Sequence, residues 1–416
     1  MQRFRLQSMV IIVILFCTSV KSQTGTQVID DISINTTWTK ANSPYIIQKN
    51  ISVLSGTTLT IDPGVIVKLQ TAGLNVYGKL IATGTVTDTI IFTSNASNPN
   101  PMDWDKLAIW GPNPNYSEFK YCKIQYAYIG VDLEIAHLSP KISNCLIEKC
   151  HSRCISGGAG YIENNTIRYC VNEGIYIGGG SGPLISGNRI YDNQNGICID
   201  AIGIIQNNLI SKNISRGIEC RYFGNVNVAL IINNTIDNNG ANNINCDYAS
   251  PIIKNNIITN CLGHAGIRAA AGSSPVCTYN DVWNNGINYW SHGGTSEPGV
   301  GSISENPQYI NPSASNYNIA NTSPCIRAAT PIGCPSYDIE GKLRGNPPDI
   351  GAFENITDGD QTLPVQLTSF TAEYKDNLIH IKWVTESELN NIGYEIYFKE
   401  ISDTQYYFLA GYKTNE

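Results

Sequence analysis

A repeat of 20 to 26 residues runs through the middle of the chain, between about residues 115 and 290. The repeat follows the pattern Asn-Asn-x-Ile and then, a few residues later, Gly-Ile-x-Ile, and single copies depart from it at one or more positions. The copies are marked by Ile124, Ile147, Ile167, Ile190, Ile210, Ile236, Ile258 and Val282, at steps of 23, 20, 23, 20, 26, 22 and 24 residues. A unit this short cannot bury a core alone, so the copies must stack on one another.

Two architectures have repeats of this length, the leucine-rich horseshoe and the parallel β-helix. The horseshoe needs leucine at fixed positions and a helical segment in each repeat, whereas isoleucine dominates here and no window has helical periodicity. Alternation in residues 174–177 and 196–199 places one set of side chains inside and the other outside. We therefore predict an all-β chain, a right-handed parallel β-helix whose coils lie roughly 4.8 Å apart, with columns of isoleucine in its core.

Asparagine and cysteine share the remaining columns of this predicted helix. Cys122 and Cys145 occupy the slot held later by Asn165, Asn188, Asn208, Asn234, Asn256 and Asn280; Cys150, Cys170 and Cys261 share a second slot with Asn193, Asn213 and Asn239. Buried amides on neighbouring coils can bond one another and the turn carbonyls. We expect most of the 13 cysteines to be buried free thiols, although bridges between Cys220 and Cys246 or between Cys150 and Cys170 stay open. No Cys-x-x-Cys pair with His indicates a metal site.

The start of the chain is typical of an export signal. Arg3 and Arg5 precede a short apolar stretch, and small residues before position 23 predict a signal peptide over 1–22, cleaved after Ser22. Lipid attachment at Cys17 is the weaker alternative, because Phe16 stands where that signal has a small residue. No later stretch is long and apolar enough to cross a membrane. With a net charge of −7 and no run of Lys or Arg, the composition argues against nucleic acid as a partner.

The segment between Trp38 and Ser94 alternates strand and turn signals, including Leu59-Thr60-Ile61-Asp62-Pro63-Gly64-Val65-Ile66-Val67 and Ile91-Phe92-Thr93-Ser94. It resembles the first coils of bacterial secreted right-handed β-helix repeat proteins, a pectate lyase-like superfold. Where those proteins often continue with Trp-Gly-Gly-Ile, this chain has Asp103-Trp104-Asp105-Lys106-Leu107. We assign 23–110 to N-terminal coils and cap, and 111–305 to the Asn- and Ile-rich repeats.

Residues 306–356, which lose the repeat, form the closing segment. The ending Asp349-Ile350-Gly351-Ala352-Phe353-Glu354 resembles a segment that follows such helices on bacterial surfaces. Its acidic residues are expected to bind turns and caps, and Cys325 with Cys334 is the local pair that we expect to form a disulfide.

After a linker over 357–362, residues 363–416 are similar to a fibronectin type III-like module that precedes a type IX secretion sorting domain. The resemblance rests on Leu363-Pro364-Val365-Gln366-Leu367-Thr368-Ser369-Phe370 and Asn390-Asn391-Ile392-Gly393-Tyr394-Glu395-Ile396. It implies a small, truncated β-sandwich module, and sorting to the outer cell surface or secretion.

A charged cluster is expected where three coils align. Asp200, Arg221 and Asp247 each follow a strand of the Gly-Ile-x-Ile type, and Glu219 lies two residues before Arg221 on the same outer face. As a catalytic site it would bind a cation or a substrate acid, with Arg221 facing an acidic sugar. A solvated charge ladder of little energetic value is the plainer interpretation, and we favour it. Glu148 beside Arg168 is a second pair of the same kind.

Tyr176, Tyr191 and Tyr222 fall at or near outward positions and offer rings for sugar stacking, unless strand propensity alone explains them. We predict a monomeric, exported or cell-surface protein that binds or adheres to extracellular polysaccharide or another cell-surface component. A polysaccharide lyase or glycoside hydrolase acting on an acidic glycan is the alternative, and whether the chain is an enzyme stays open. No cofactor is evident from the sequence, and calcium is the one cation left open.

Overall fold

The computed structural model describes residues 25–110, 117–133, 140–179, 182–221, 229–270, 272–356, 367–375, 378–385, 394–398 and 407–412. The expected signal peptide over 1–22, the linker over 357–362 and Tyr222 lie outside these residues.

The body of the chain is a solenoid of three parallel sheets with 12, 11 and 11 strands. The first sheet contains Thr26–Val28, Tyr45–Ile47, Ile66–Leu69, Ile90–Ser94, Cys122–Gln125, Leu146–Glu148, Thr166–Arg168, Arg189–Tyr191, Leu209–Ser211, Thr235–Asp237, Ile257–Thr259 and Asp281–Trp283. The second contains Ile51–Val53, Leu74–Val76, Trp104–Ile109, Ala127–Leu133, Arg153–Gly157, Glu173–Ile177, Asn195–Ile199, Ile218–Arg221, Ile244–Asp247, Ala265–Ala269 and Ile287–Ser291. The third contains Thr36–Trp38, Thr58–Ile61, Lys79–Thr83, Glu118–Lys120, Lys141–Ser143, Tyr161–Glu163, Leu184–Ser186, Ile204–Gln206, Leu230–Ile232, Ile252–Lys254 and Val276–Thr278.

Each coil visits the third, the first and then the second sheet before it rises to the next coil. Strand pairing puts every isoleucine marker opposite its counterpart one coil away, as in Ile167 with Ile190 and Ile190 with Ile210. These three side chains are fully buried. The predicted columns are confirmed, and the alternation of the short strands is the cause: one inward position per strand meets the same position of its neighbour.

The expected asparagine ladder is also present. The backbone N–H of Asn188 donates to Asn208 Oδ1 at 2.9 Å, and Asn188 Nδ2 donates to the same oxygen at 3.0 Å and to the Ile162 carbonyl at 2.8 Å. Asn208 repeats the pattern towards Asn234. Where the column holds Cys145, its backbone N–H still donates to Asn165 Oδ1 at 2.9 Å. The ladder supplies bonds to buried turn groups that would otherwise lack a partner.

The cysteines from Cys122 to Cys334 are all free thiols, and every one except Cys334 is buried. The expectation of small buried side chains is met, and neither open bridge between coils is formed. The expected disulfide between Cys325 and Cys334 is wrong. The Cys325 thiol is turned into the helix, where Sγ donates to Asp281 Oδ2 at 3.2 Å, whereas Cys334 Sγ contacts the Pro335 carbonyl.

The closing segment packs along the outside of the first sheet instead of extending the stack. Tyr317 Oη donates to Asp237 Oδ2 at 3.0 Å, and two small apolar clusters join the segment to Leu209 and Ile257. Its acidic residues bind turns as expected, since Asp338 Oδ1 accepts the backbone N–H groups of Glu340 and Lys342. It contains the antiparallel strands Tyr309–Asn311 and Asn316–Ile319 and the short 3₁₀ helix Pro312–Ala314; another 3₁₀ helix covers Lys40–Asn42.

Two further antiparallel pairs are described near the end of the chain. One joins Leu367–Lys375 to Leu378–Thr385 and the other joins Tyr394–Phe398 to Tyr407–Tyr412. Antiparallel pairing agrees with the β content expected of residues 363–416; the fibronectin-like identity and the domain boundaries stay predictions.

Candidate functional site

The outer face of the second sheet is rich in charged and aromatic side chains. Strand alternation sends Ile177, Ile199, Cys220 and Cys246 inward, and their neighbours outward. The central outer column consists of Asp132, Ser156, Tyr176, Cys198, Glu219, Asn245, Arg268 and Trp290. This column and the positions on either side of it make up the outer face.

Asp200 and Arg221, both predicted from the sequence, are brought together. Arg221 Nε donates to Asp200 Oδ1 at 3.1 Å, and the Tyr176 hydroxyl donates to Asp200 Oδ2 at 3.0 Å. The Asp200 side chain is 3% exposed, while that of Arg221 is 33% exposed. The carboxylate is therefore a buried anchor, and the guanidinium is the part that solvent can reach.

The other two residues of the predicted cluster do not join this pair. Glu219 is buried and pairs with Arg216, whose Nη1 donates to Glu219 Oε1 at 2.9 Å. Sequence reasoning missed this pair because Arg216 precedes the strand Ile218–Arg221 and reaches Glu219 through its side-chain conformation. Asp247 lies in register with Arg221, but its carboxylate has no hydrogen bond or ion pair among the described residues. Of the four predicted residues, Asp200 thus pairs with Arg221, Glu219 pairs with Arg216 outside the predicted cluster, and Asp247 stands apart.

Tyr176 is covered by arginine instead of being open to a ligand. The guanidinium carbon of Arg153 lies 3.7 Å from the centroid of the Tyr176 ring, and that of Arg221 lies 5.8 Å from it. Arg153 is also 3.6 Å from Glu173 in an ion pair. Cation–π contact of this kind holds a guanidinium in place without neutralising its charge. Tyr176 therefore positions arginines, which differs from the sugar-stacking role expected from the sequence.

A cleft of about 270 Å³ opens at the far end of the same outer face. Arg268 and Trp290, on successive coils, line it together with His264 and Asn242. Arg268 Nη1 donates to Asn245 Oδ1 at 2.8 Å, and its guanidinium lies 4.9 Å from the Trp290 ring centroid. Among the described residues no carboxylate pairs with Arg268. Sequence reasoning missed this cleft because aligning Gly266-Ile267 with Gly286-Ile287 puts Arg268 beside Asn288, whereas the strands pair Arg268 with Trp290.

The environment shifts two pKa values within the Asp200 group. Burial, followed by the charge of Asp200, raises the pKa of Tyr176 above its ordinary value. Burial alone would lower the pKa of Arg221, but the neighbouring Cys198, Asp200 and Glu219 outweigh it and raise that pKa. Both groups therefore stay protonated at neutral pH, with Tyr176 as a donor and Arg221 as a cation.

The second predicted pair, Glu148 with Arg168, lies on the outside of the first sheet. Arg168 Nε and Nη2 each lie 2.9 Å from Glu148 Oε2, and Lys123 Nζ lies 3.2 Å from Oε1. Burial would raise the pKa of Glu148, but these hydrogen bonds lower it overall. Arg168 Nη1 also donates to the Tyr191 hydroxyl at 3.2 Å, so Tyr191 too serves as a partner of an arginine.

A metal site finds no support in this geometry. Within the described ranges, no group of three or more His, Cys, Asp or Glu side chains is placed to share an ion. The calcium left open by the sequence stays an untested prediction. Over the same residues, no helix has the length and apolarity needed to span a bilayer.

Two family models match the chain. The model for a right-handed β-helix region matches residues 154–298, and the model for a pectate-lyase-like β-helix domain matches residues 30–124. The protein is a right-handed parallel β-helix. The two matches leave out residues 125–153 and all residues after 298.

Relatives and solved structures are distant. A stretch of 83 residues is 37% identical to Protein bark beetle of Drosophila melanogaster, covering 18% of this chain and 3% of that protein. Pectate lyase Pel9A is 14% identical with a TM-score of 0.42, covering 73% of this chain and 89% of that one. The periplasmic alginate epimerase AlgG is 14% identical with a TM-score of 0.38, covering 67% and 68%. The A-module of the Azotobacter vinelandii mannuronan C-5 epimerase AlgE4 is 12% identical with a TM-score of 0.31, covering 61% and 70%.

Proposed function

We propose that this protein binds an extracellular acidic polysaccharide along the outer face of the second sheet, as an adhesive or structural surface protein. The observation that carries the proposal is the cleft between Arg268 and Trp290. There a guanidinium that lacks a carboxylate partner among the described residues stands beside an aromatic ring, in a recess of about 270 Å³.

The chemistry of that cleft suits a uronate sugar. A guanidinium presents paired N–H donors that match a carboxylate, and the weak hydration of Arg lets it bind without a large desolvation cost. Arg268 lies over the Trp290 ring, which also stacks on His292, so the indole holds the guanidinium in place and can donate its N–H to a sugar hydroxyl. Asn242 adds an amide that both donates and accepts at the edge of the cleft.

Two further partly exposed arginines lie along the same outer face. Arg153 and Arg221 are both fixed by Tyr176 and about one third exposed, so their positions are defined before a ligand arrives. Coils are spaced roughly 4.8 Å apart, and Arg153, Arg221 and Arg268 lie on different coils and in different columns of the same face. A linear polymer can contact several of them at once, and such multivalent contact raises affinity without any single strong site.

Binding is favoured over catalysis by the state of the carboxylates. Asp200 and Glu219 are buried and ion-paired with Arg221 and Arg216, so neither is a free base facing solvent. Asp247 is the one carboxylate of the predicted cluster that has no partner among the described residues, whereas a glycoside hydrolase needs a pair of carboxylates that flank the scissile bond. Export through the predicted signal over 1–22, and surface sorting through residues 363–416, are parts of the proposal that rest on sequence resemblance.

The experiment compares the full chain with Arg268→Gln on immobilised polyuronate and on a neutral glycan of similar length. We expect the wild type to bind the polyuronate, with affinity that falls as salt is raised, and Arg268→Gln to weaken binding about tenfold. Lys49→Gln, which removes the same charge from an exposed position, is the matched control. Equal binding of all three proteins contradicts the proposal, and release of unsaturated sugars from the polyuronate assigns the chain to the lyases instead.

A further inference from the structure

Three turn asparagines hold the closing segment by its backbone. Asn255 Nδ2 donates to the Thr330 carbonyl at 2.8 Å, and Asn255 Oδ1 accepts the Thr330 N–H at 3.0 Å. Asn233 Nδ2 donates to the Asp349 carbonyl at 3.2 Å, and Asn207 Nδ2 to the Tyr337 carbonyl at 2.6 Å. All three are buried under the segment. One column of the solenoid thus binds the backbone of the closing segment at three places, and Asn207 also accepts from the Arg344 side chain.

The same column of turn residues continues on three earlier coils, which the closing segment does not cover. Asn144, Asn164 and Gly187 occupy it on the preceding coils, with φ values of 54°, 57° and 71°, against 53° for Asn207. Asn144 and Asn164 are exposed, and their side-chain amides have no hydrogen bond among the described residues. A groove of about 850 Å³ lies over these positions, with residues 335–341 of the closing segment as one wall.

The turn itself does not require an amide at these positions. A left-handed turn needs a residue that tolerates positive φ, and Gly187 meets that need in the same column. Tyr121 and Tyr279, at the two ends of the column, also have positive φ values, of 49° and 53°. The amides of Asn144 and Asn164 are therefore unpartnered among the described residues, on a column whose other amides all contact the closing segment.

We propose that Asn144 and Asn164 form a docking site for a peptide segment of a partner protein, whose backbone lies in the groove beside residues 335–341 of the closing segment. Asn255 donates to the carbonyl and accepts from the N–H of one residue, Thr330, which is a pattern of backbone recognition. Two of the three carboxylates that line the groove are ion-paired, since Glu163 pairs with Lys141 at 3.0 Å and Glu340 lies 3.8 Å from Arg189, and the third, Asp338, accepts backbone N–H groups. Backbone shape, more than net charge, selects the ligand.

The test pans a random peptide library against the full chain and measures the affinity of the selected synthetic peptides by calorimetry. Asn144→Gly and Asn164→Gly remove the amides while keeping a residue suited to positive φ, so the fold is retained. We expect each substitution to weaken the selected peptides about tenfold, since each amide supplies one donor and one acceptor.

Asn238→Gly is the matched control, because Asn238 is exposed with a φ of 53° in a different turn column. It is expected to leave peptide affinity unchanged. Selection of no peptide above background, or selected peptides that bind Asn164→Gly as tightly as the wild type, overturns the proposal. A neutral oligosaccharide whose binding is lost in the same two variants overturns it as well and assigns the groove to a glycan. Neither result bears on the proposed polysaccharide site at Arg268, which lies on the outer face of the second sheet.

Discussion

Arg344 and Glu354 form an ion pair that is closed off from solvent: Nη1 lies 2.9 Å from Oε2, and each side chain is 2% exposed. Arg344 Nη2 also donates to Asn207 Oδ1 at 2.8 Å, and Glu354 Oε1 accepts the Gly345 N–H at 2.7 Å. The pair thus ties the closing segment to the solenoid at one of the turn asparagines.

Glu354→Gln should weaken the attachment of the closing segment to the solenoid. The substitution keeps the shape but leaves a buried guanidinium without its counter-charge, which typically costs about 3–5 kcal/mol. We expect lower stability in urea denaturation, together with faster hydrogen exchange in the closing segment. Glu340→Gln removes a carboxylate that is about one third exposed, and should cost less than about 1 kcal/mol. Equal losses in the two variants would show that burial of the Arg344 pair is irrelevant.

The asparagine ladder should tolerate cysteine better than leucine. Asn208 accepts from the Asn188 N–H and donates to the Ile185 carbonyl at 2.9 Å, so Asn208→Leu orphans several buried groups at about 1–3 kcal/mol each. A thiol can replace part of this, since Cys145 in the same column places Sγ 3.4 Å from the Cys122 N–H and 3.3 Å from the Ser143 carbonyl. Thermal unfolding should rank wild type above Asn208→Cys, and Asn208→Cys above Asn208→Leu. The reverse order for the two variants would refute the hydrogen-bond account.

The columns were predictable from sequence because they depend only on repeat spacing and strand alternation. Ile167, Ile190 and Asn208 lie where that spacing places them. Contacts of long side chains were not predictable, because an arginine can reach any of several neighbours. Arg216 pairs with Glu219, and Arg153 covers Tyr176, through side-chain conformations that no spacing specifies.

The closing segment escaped prediction for a different reason. It has no repeat, so nothing in its sequence shows that it folds back along the first sheet. The disulfide expected between Cys325 and Cys334 was wrong because Asp281, distant in sequence, lies beside Cys325 in the fold.

Two buried acids should make the protein less stable as pH rises towards neutrality. Burial raises the pKa of Asp281 and of Asp349 to about 7. Between the unfolded value near 4 and about 7, the unfolded chain has lost these protons while the folded chain retains them. The free energy of unfolding therefore falls as pH rises through this window and levels off above it.

Asp281→Asn isolates one of these contributions. The amide oxygen can still accept the Glu305 N–H, which in the wild type donates to Asp281 Oδ1 at 3.0 Å, but the side chain carries no titrating proton. Urea denaturation at several pH values should show a decline in stability between pH 4 and 7 that is shallower in the variant, by about 1.4 kcal/mol per pH unit. Parallel pH profiles for the variant and the wild type would show that Asp281 does not hold its proton in the folded state.

The thiols should be unreactive in the folded protein and fully available after unfolding. Burial raises the pKa of Cys261 and Cys334 to about 11 and that of Cys277 to about 12, so little thiolate forms at neutral pH. Cys334 is the most exposed of the described cysteines and should be alkylated first, with Cys334→Ser removing that fastest step. In denaturant without reductant, mass spectrometry should find every cysteine from Cys122 to Cys334 alkylated. Persistent loss of two labels, restored only by a reductant, would establish a disulfide in place of the contact between Cys325 and Asp281.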